Sequence, residues 1–496
     1  MHKRGKNRNL CLCLLLFLIA SCLLVFFPTA SAAKRSDVVV HTIGIGIRPS
    51  VYKELLSKIE TEPIYPVQVS VDSSALFGGK LKLRGSASKA IGLMTPGKRV
   101  ALELKPDQTD LFAGSLDNSC VKLINSWTPS RLLGEYLAME MYDFMEIPAP
   151  AHTLAFLQFN GVDFGLYIAS EGVNTEFLQK IDPDGGGTLF KANESDRNSA
   201  YNASSWFGFL RVVEDHGFER VNTLIEALDR GAGYEAYLDV DEVLRYFACL
   251  AVWGADDTIL TENRPSNFFL YDTGERFILI PWDSSEAFSE YGSVNGIDHF
   301  QRDPEKEEDN PPLFKLLMQN ETYKNNYHDY IRQINESFLS PEQMNARFNI
   351  LAATVKPFLE RDCTMLCNQP DEIPAAALET LQEIHENLSA QLNGETDTYY
   401  VDPGSDGEGT NTPDEGNKDP EEELNEDLSF LIRHYSPHLD PDITEKICAA
   451  YPAWCRAQGK IPIDADDPVE IAVATAIFTS VFLLLIILTK KHKKQD

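Results

Sequence analysis

Polar residues that could hold a metal ion stand beside three apolar runs in the middle of the chain. Asp256 and Asp257 follow one such run, Asn267 precedes Phe-Phe-Leu-Tyr, and Asp283 follows Phe-Ile-Leu-Ile-Pro-Trp. Carboxylate and amide oxygens are the ligands that Mg²⁺ and Mn²⁺ prefer. Phosphoryl transfer needs such ligands, together with a carboxylate that orients the attacking hydroxyl. Each acid alone is typical of a helix cap or a turn, but the set favours a phosphoryl-transfer site.

A turn of small residues earlier in the chain could contact phosphates. Residues 84–89 read Arg-Gly-Ser-Ala-Ser-Lys, and Lys98 precedes a strand-like segment that ends at residue 104. Backbone N–H groups and hydroxyls of such a turn can bind phosphate oxygens, and a lysine can reach them as a point charge. Most Gly/Ser turns bind no ligand, so the segment supports a phosphate site only together with the metal-ligand set.

The elements that must position these residues are a mixture of strands and helices. The apolar pattern predicts strands at 38–43, 67–71 and 100–104 and helices at 131–145 and 313–338. Asn160-Gly161 joins two apolar runs, which predicts a β-hairpin with Glu171 at its exit. The predicted fold class is therefore α+β.

The charge of the chain excludes one class of partner. Its 496 residues include 44 Lys+Arg and 75 Asp+Glu, which gives a net charge of −31. The first eight residues carry +4 and the last seven carry +3, so the middle of the chain carries −38. Nucleic-acid binders need patches of Lys and Arg. We therefore expect no nucleic-acid partner, and a surface that suits divalent cations and basic proteins.

Both ends of the chain resemble targeting segments. Residues 1–32 have a basic start, an apolar run and a small-x-small end, which predicts a signal peptide cleaved after Ala32; an uncleaved anchor is the alternative. Residues 471–489 are 19 uncharged residues, enough to cross a bilayer as a helix. The basic residues 490–496 predict a cytoplasmic tail. We expect a single-pass protein of the cell membrane whose N-terminal body is extracellular.

A linker separates the predicted body, residues 36–395, from the membrane. Residues 396–427 are rich in Gly, Pro, Asp, Glu, Asn and Thr and have almost no apolar side chains. Such a segment cannot bury enough surface to fold, which predicts a disordered acidic linker. Residues 428–467 then form a small juxtamembrane module.

The motifs, taken in their order, resemble the CotH kinase family, which comprises spore coat protein H and its relatives. The resemblance covers roughly residues 66–390. The segments that carry it are Arg84-Gly85-Ser86 with Lys98, residues 125–150 ending in Ile-Pro-Ala-Pro, the Asn160-Gly161 hairpin with Gly165 and Glu171, Leu189-Phe-Lys191, Asn267-Phe-Phe-Leu-Tyr with Ile280-Pro-Trp-Asp283, and residues 312–362.

This resemblance implies an atypical protein kinase with a two-lobed, kinase-like fold. The N-lobe would lie at about residues 36–171 and the C-lobe at about 172–395. The implied reaction transfers the γ-phosphate of ATP, with Mg²⁺ or Mn²⁺, to Ser/Thr of secreted or envelope proteins, spore-coat-like proteins included. The charge of −38 favours basic, Ser/Thr-rich protein substrates.

The resemblance also implies roles for individual residues. Asp257, with Asp256 as the alternative, and Lys98 would be catalytic, and Asn267 and Asp283 would bind the metal. The implied nucleotide-binding residues are Arg84, Gly85, Ser86, Ser88, Lys98 and Glu171.

The chain departs from the family pattern at two positions near the implied metal site. Ser285 stands where the family usually has a second Asp, and Ala255 stands where it has an Asn. Loss of an anionic ligand should weaken metal binding; Glu286 is adjacent, but its side chain would point differently. A pseudokinase is therefore an alternative, as is a non-catalytic, kinase-like surface binding or adhesion protein. Glu140 matches, within one residue, the ion-pair acid of the family's lobe-connecting helix.

Overall fold

The alternating segments of the first part of the chain form strands of one barrel in the computed structural model. The structure describes residues 38–395 except for 59–60, 73, 86–91, 93–97, 109–110, 113–115, 117, 127–128, 193–209, 215–218, 255–257, 261–265, 286, 289–296, 298–311, 363 and 365–372. Within these residues, seven strands close in the order β1-β2-β3-β4-β5-β7-β6. They are β1 (Val40–Gly46), β2 (Tyr65–Val71), β3 (Phe77–Leu83), β4 (Leu102–Pro106), β5 (Val121–Ile124), β6 (His152–Phe159) and β7 (Val162–Glu171). The strands predicted from alternation at 38–43, 67–71 and 100–104 overlap β1, β2 and β4, although residues 38–39 and 100–101 lie before the observed strands.

The barrel closes because β1 pairs on both of its edges. It is antiparallel to β2 and parallel to β6, where Ile43 lies opposite Leu157 and Ile45 opposite Phe159. Every second residue of β1 is buried, as expected for a strand with one face toward a core. The predicted hairpin is also confirmed, since Asn160 and Gly161 join β6 to β7 with φ angles of 53° and 80°.

The remaining elements are mainly helices, together with a four-stranded antiparallel sheet of order β11-β10-β8-β9 among the described residues. The strands of this sheet are β8 (Thr188–Ala192), β9 (Leu210–Glu214), β10 (Phe268–Asp272) and β11 (Phe277–Pro281). The helices are α1 (Pro49–Ser57), α2 (Pro129–Phe144), α3 (Thr175–Ile181), α4 (Glu219–Asp229), α5 (Val240–Trp253), α6 (Pro312–Met318), α7 (Glu321–Gln333), α8 (Pro341–Leu359) and α9 (Ile373–Leu392), with a 3₁₀ turn at Tyr234–Ala236 and a π-helix at Ile334–Phe338. This mixture confirms the predicted combination of helices and strands.

The two segments predicted to be helical differ in their outcome. Residues 131–145 correspond to the single helix α2. Residues 313–338 contain α6, α7 and the π-helix, because a new helix begins after Asn320. The Asn320 side chain accepts a hydrogen bond from the Thr322 N–H at 2.9 Å and so caps α7.

A buried arginine connects the barrel to the C-terminal part of the described chain. Arg99 is 0% exposed, and its guanidinium donates to Asp362 Oδ2 at 3.0 Å and to the carbonyl of Leu166 on β7. Its Nε donates to the carbonyls of Asn125 and Ser126, each at 2.9 Å. A buried charge is tolerated only when it is paired and hydrogen-bonded. The network therefore fixes the end of β5, the middle of β7 and the segment after α8 relative to one another.

Gly165 provides the space that this network needs. A β-carbon at this position would lie 2.6 Å from Thr364 Oγ1 and 2.7 Å from Arg99 Nη1, closer than non-bonded atoms approach. Asp362 also accepts from the Leu166 N–H at 2.8 Å. The glycine of the hairpin motif is therefore required by side chains that dock onto β7.

Asp362→Asn should lower the free energy of unfolding by about 3–5 kcal/mol, because it removes the buried carboxylate charge with which the Arg99 guanidinium is paired. The exposed pair between Arg361 and Asp163 provides a matched control one residue away. Asp163→Asn should cost less than about 1 kcal/mol, as is usual for surface pairs. Urea unfolding followed by circular dichroism measures both values, and equal losses would contradict the role given to Arg99.

The predictions for the two ends of the chain fall on residues that the structure does not describe. These are the signal peptide (1–32), the linker (396–427), the juxtamembrane module (428–467), the transmembrane helix (471–489) and the tail (490–496). Within the described ranges, no helix is both long enough and apolar enough to cross a membrane.

Candidate active-site cleft

The β10–β11 hairpin brings the two predicted metal ligands to the same end of the sheet. Asn267 comes just before β10 and Asp283 just after β11, and the Trp282 N–H donates to the Asn267 carbonyl at 3.0 Å. Both residues have a φ of 55°, a left-handed conformation that Asn and Asp adopt more readily than most residues. Such backbone strain persists only where the surrounding structure imposes it, and it often marks a functional site.

Two adjoining pockets share the Arg84, Ile124 and Asp283 side chains in their walls. Arg84 and Ile124 lie at one end of the barrel, where the Arg84 N–H donates to the Ala101 carbonyl at 3.1 Å. The first cavity is mainly apolar and includes Met139, Tyr142, Ala149, Pro150, Ser170, Pro281, Trp282 and Ser284. The second is lined mainly by polar and charged residues, which include Asn125, Ser126, Arg131, Glu135 and Ser285, and we call it the polar half. Together they form a cleft whose polar half contains both carboxylates and guanidinium groups.

Glu135 on α2 is a carboxylic acid buried in this polar half. It is 0% exposed, its Oε2 accepts from Ser126 Oγ at 2.9 Å, and its Oε1 has no hydrogen-bond partner in the described part of the chain. Burial, and then the nearby charge of Asp283, raise the pKa of Glu135 from 4.5 to about 8 against the opposing effects of Ser126, Arg84 and Arg131. The folded protein thus keeps this acid protonated at neutral pH.

Glu140, which the resemblance matched to the ion-pair acid of this helix, also lies on α2 but does not line the cleft. It forms a bidentate ion pair with Arg347 on α8. Five residues of α-helix separate Glu135 from Glu140, which places their side chains about 140° apart around the axis. A signal for Glu135 did exist, because it falls on the buried stripe of α2 formed by Leu132, Tyr136 and Met139.

Two arginines give the polar half its positive charge. The Arg84 guanidinium lies over the Trp282 ring, 5.4 Å from its centroid. Arg131 Nη1 donates to the Ser285 carbonyl at 3.3 Å, so it holds the segment that follows Asp283. Guanidinium groups bind phosphate oxygens bidentately. The cleft therefore combines donors for phosphate with oxygens for a cation.

The structure places the other predicted site residues less centrally. Lys98 is exposed, with a φ of 56°. Glu171 is buried at the end of β7 and paired with Lys180 of α3. Neither is among the described residues that line the two cavities, and Gly85, which follows Arg84, has a φ of 83°.

The remaining candidates fall outside the described residues. These are Ser86, Ser88, Asp256 and Asp257, as well as Ala255. Helix α5 ends at Trp253, and Gly254 caps it with a φ of 62°, so the predicted catalytic Asp257 follows the cap by three residues. Its role stays a prediction.

The oxygens of the polar half fit a hard divalent cation. Asp283 and the unpartnered Glu135 Oε1 belong to the oxygen donors that Mg²⁺ and Mn²⁺ prefer. Among the described residues, no group of three His, Cys, Asp or Glu side chains is close enough to hold a metal ion. The acidic donors that line this half are thus the carboxyl groups of Asp283 and Glu135.

The class of protein to which this barrel, second sheet and cleft belong follows from a comparison with protein families. A family model described as CotH kinase protein matches residues 97–392, more than half of the chain. The chain therefore belongs to the CotH kinase family, which confirms the resemblance found in the sequence. The matched range begins after the turn at residues 84–89.

One solved structure to which the chain is similar is the crystal structure of the Helicobacter pylori proinflammatory kinase CtkA. The TM-score is 0.30 and the sequence identity 10%, and the alignment covers 61% of this chain and 97% of that one. The comparison with curated proteins gave no match.

Glu135→Gln should become more stable relative to wild type as the pH rises. Because the pKa of Glu135 in the folded protein is about 8, above its ordinary value of 4.5, the folded state holds an extra proton between these values. The free energy of unfolding of the wild type therefore falls across this window and levels off above it. The Gln variant carries no such proton, so the difference should grow between about pH 5 and about pH 9.

Urea unfolding of both proteins across this pH range measures the difference. Glu342→Gln, at an exposed position of α8, serves as the control for a Glu→Gln change. A wild-type-minus-variant difference that does not change with pH would contradict the protonated state of Glu135.

Proposed function

We propose that this protein is a membrane-anchored extracellular kinase that transfers the γ-phosphate of ATP to Ser/Thr of secreted or envelope proteins. The observation that carries the proposal is the cleft in which Asp283 and Glu135 face Arg84 and Arg131. A nucleotide with its divalent cation presents the complementary charges, since the cation suits the carboxylates and the phosphates suit the guanidinium groups. Membership of the CotH kinase family supports the same reaction class.

In this proposal the residues of the cleft bind phosphate, hold the cation or orient the substrate hydroxyl. Arg84 and Arg131 bind and orient phosphate oxygens, and Asn267 and Asp283 hold the cation, Mg²⁺ or Mn²⁺. When bound, this cation neutralises the charge that develops on the transferred phosphoryl group. Asp257 orients the substrate hydroxyl and accepts its proton.

The choice of substrate follows from charge and location. The middle of the chain carries −38, which favours basic, Ser/Thr-rich protein segments through electrostatic steering. The predicted leader and the predicted helix at residues 471–489 place the kinase body outside the membrane, where its substrates would be secreted or envelope proteins.

Asp283→Asn and Asp257→Asn should each lower phosphate transfer by about 100-fold, because each removes a charge that acts in the transition state. The measurement is transfer of label from γ-labelled ATP, with Mn²⁺ or Mg²⁺, to a basic Ser/Thr-rich peptide by the full chain. Asp163→Asn, at the surface of the barrel, is the matched control and should keep wild-type activity. Transfer that survives both cleft substitutions would refute the assignment.

A second function is favoured by Ser285, whose carbonyl is held by Arg131 where the family has a second Asp. It is a non-catalytic, kinase-like surface binding or adhesion protein. ATP with Mn²⁺ should raise the melting temperature of a nucleotide-binding protein by mass action. A chain that shows neither a shift at millimolar nucleotide nor phosphate transfer would support this second function.

A further inference from the structure

The carboxyl group of Glu135 has an unsatisfied oxygen at the cleft. Ser126 Oγ donates to Oε2 at 2.9 Å, whereas Oε1 is buried and has no hydrogen-bond partner within the described ranges. Leaving a buried polar atom without a partner is unfavourable, because the atom loses its hydrogen bonds to water and gains none in return. Each such atom in a native fold therefore calls for an explanation, and an ion at the site is one of the usual ones.

The nearest cationic side chains do not satisfy this oxygen. Arg84 lies over the Trp282 ring, and Arg131 Nη1 donates to the Ser285 carbonyl. Neither donates to Oε1, since that atom has no partner within the described residues. Both guanidinium groups line the same cavity as Glu135, where they can serve phosphate oxygens instead.

Asp283 is the second carboxyl group near the unsatisfied oxygen of Glu135. It lines the same cavity as Glu135. A cation bound between the two carboxyl groups would attract both oxygens and displace the proton of Glu135 into solvent. Ser285, on the same wall, offers a hydroxyl where a second acid would supply a charged oxygen.

The backbone holds Glu135 firmly against the Asp283 segment. At Gly134, a β-carbon would lie 2.7 Å from the Ala287 carbonyl oxygen, so only glycine allows α2 to approach this turn so closely. The Phe288 N–H donates to the Trp253 carbonyl at 3.1 Å, which fixes the turn from its other side. A ligand on a rigid helix next to Asp283 is preorganised for a shared ion.

We propose that Glu135 is a ligand of the divalent cation of this cleft, with Asp283, and supplies the anionic oxygen that Ser285 does not. The inference rests on the proposed function in that the cation is the one that accompanies the nucleotide. Glu135 on α2, and not Glu286 next to Ser285, would thus replace the second Asp of the family pattern.

Titration of the full chain with Mn²⁺ alone, followed by electron paramagnetic resonance of the free ion, tests the inference without nucleotide. Glu135→Gln and Asp283→Asn should each weaken the tightest Mn²⁺ site by about 10-fold or more, as is common for changes in or next to a metal's ligands. Glu342→Gln, outside the cleft, should leave this affinity unchanged. Ser285→Asp in the Glu135→Gln background should restore much of the loss, because it returns an acid to the same cavity.

The outcomes separate this inference from the kinase assignment. Wild-type Mn²⁺ affinity in folded Glu135→Gln would overturn the inference, and so would a loss confined to ATP affinity, which would indicate that Glu135 pairs with a cationic side chain. A Glu135-dependent Mn²⁺ site in a chain that transfers no phosphate would support the inference and refute the kinase function. If Glu135→Gln does not fold, Ser285→Asp in the wild-type chain takes its place: several-fold tighter binding at the Asp283 site supports the shared ion, and unchanged binding overturns it.

Discussion

The burial of one positive charge is the constraint on which the rest of the described structure depends. Arg99 has no contact with solvent, so its donors must be satisfied by protein groups, and these come from β7, from residues 125–126 and from Asp362. Ser126 takes part twice, because its carbonyl accepts from Arg99 while its hydroxyl donates to Glu135. Through Ser126, the buried charge of Arg99 therefore helps to fix the position of Glu135, although Arg99 does not line the cleft.

The cleft itself stores unfavourable interactions that the surrounding fold supports. Asn267 and Asp283 have positive φ angles, and Glu135 is buried with an unsatisfied oxygen. Each feature costs free energy in the absence of a ligand. The pairing of β10 with β11 and the tight contact at Gly134 hold these residues in place despite that cost. The packing around the cleft thus stabilises a site that is itself unfavourable without a ligand.

Local patterns in the sequence predicted much of this arrangement. Asn267 and Asp283 were grouped because each stands beside an apolar run, and the pairing of those runs as β10 and β11 is what the structure adds; the Asn160-Gly161 turn specifies its own geometry. Glu135 was missed because an acid on a helix is usually solvated, although its spacing from Leu132, Tyr136 and Met139 places it on the buried stripe of α2. The role of Arg99 was out of reach, since its counter-charge lies 263 residues further along the chain and no local pattern links the two.

That separation along the chain has a consequence for the order of assembly. The barrel strands end at Glu171, but Asp362, which pairs with the enclosed guanidinium, follows nearly two hundred residues later. During synthesis from the N-terminus, this ion pair therefore cannot form until those residues have emerged. Contacts this distant in sequence form late and slowly. Completion of the Arg99 network thus waits for the segment that follows α8, which couples the maturation of the barrel to the arrival of the helices that precede Asp362.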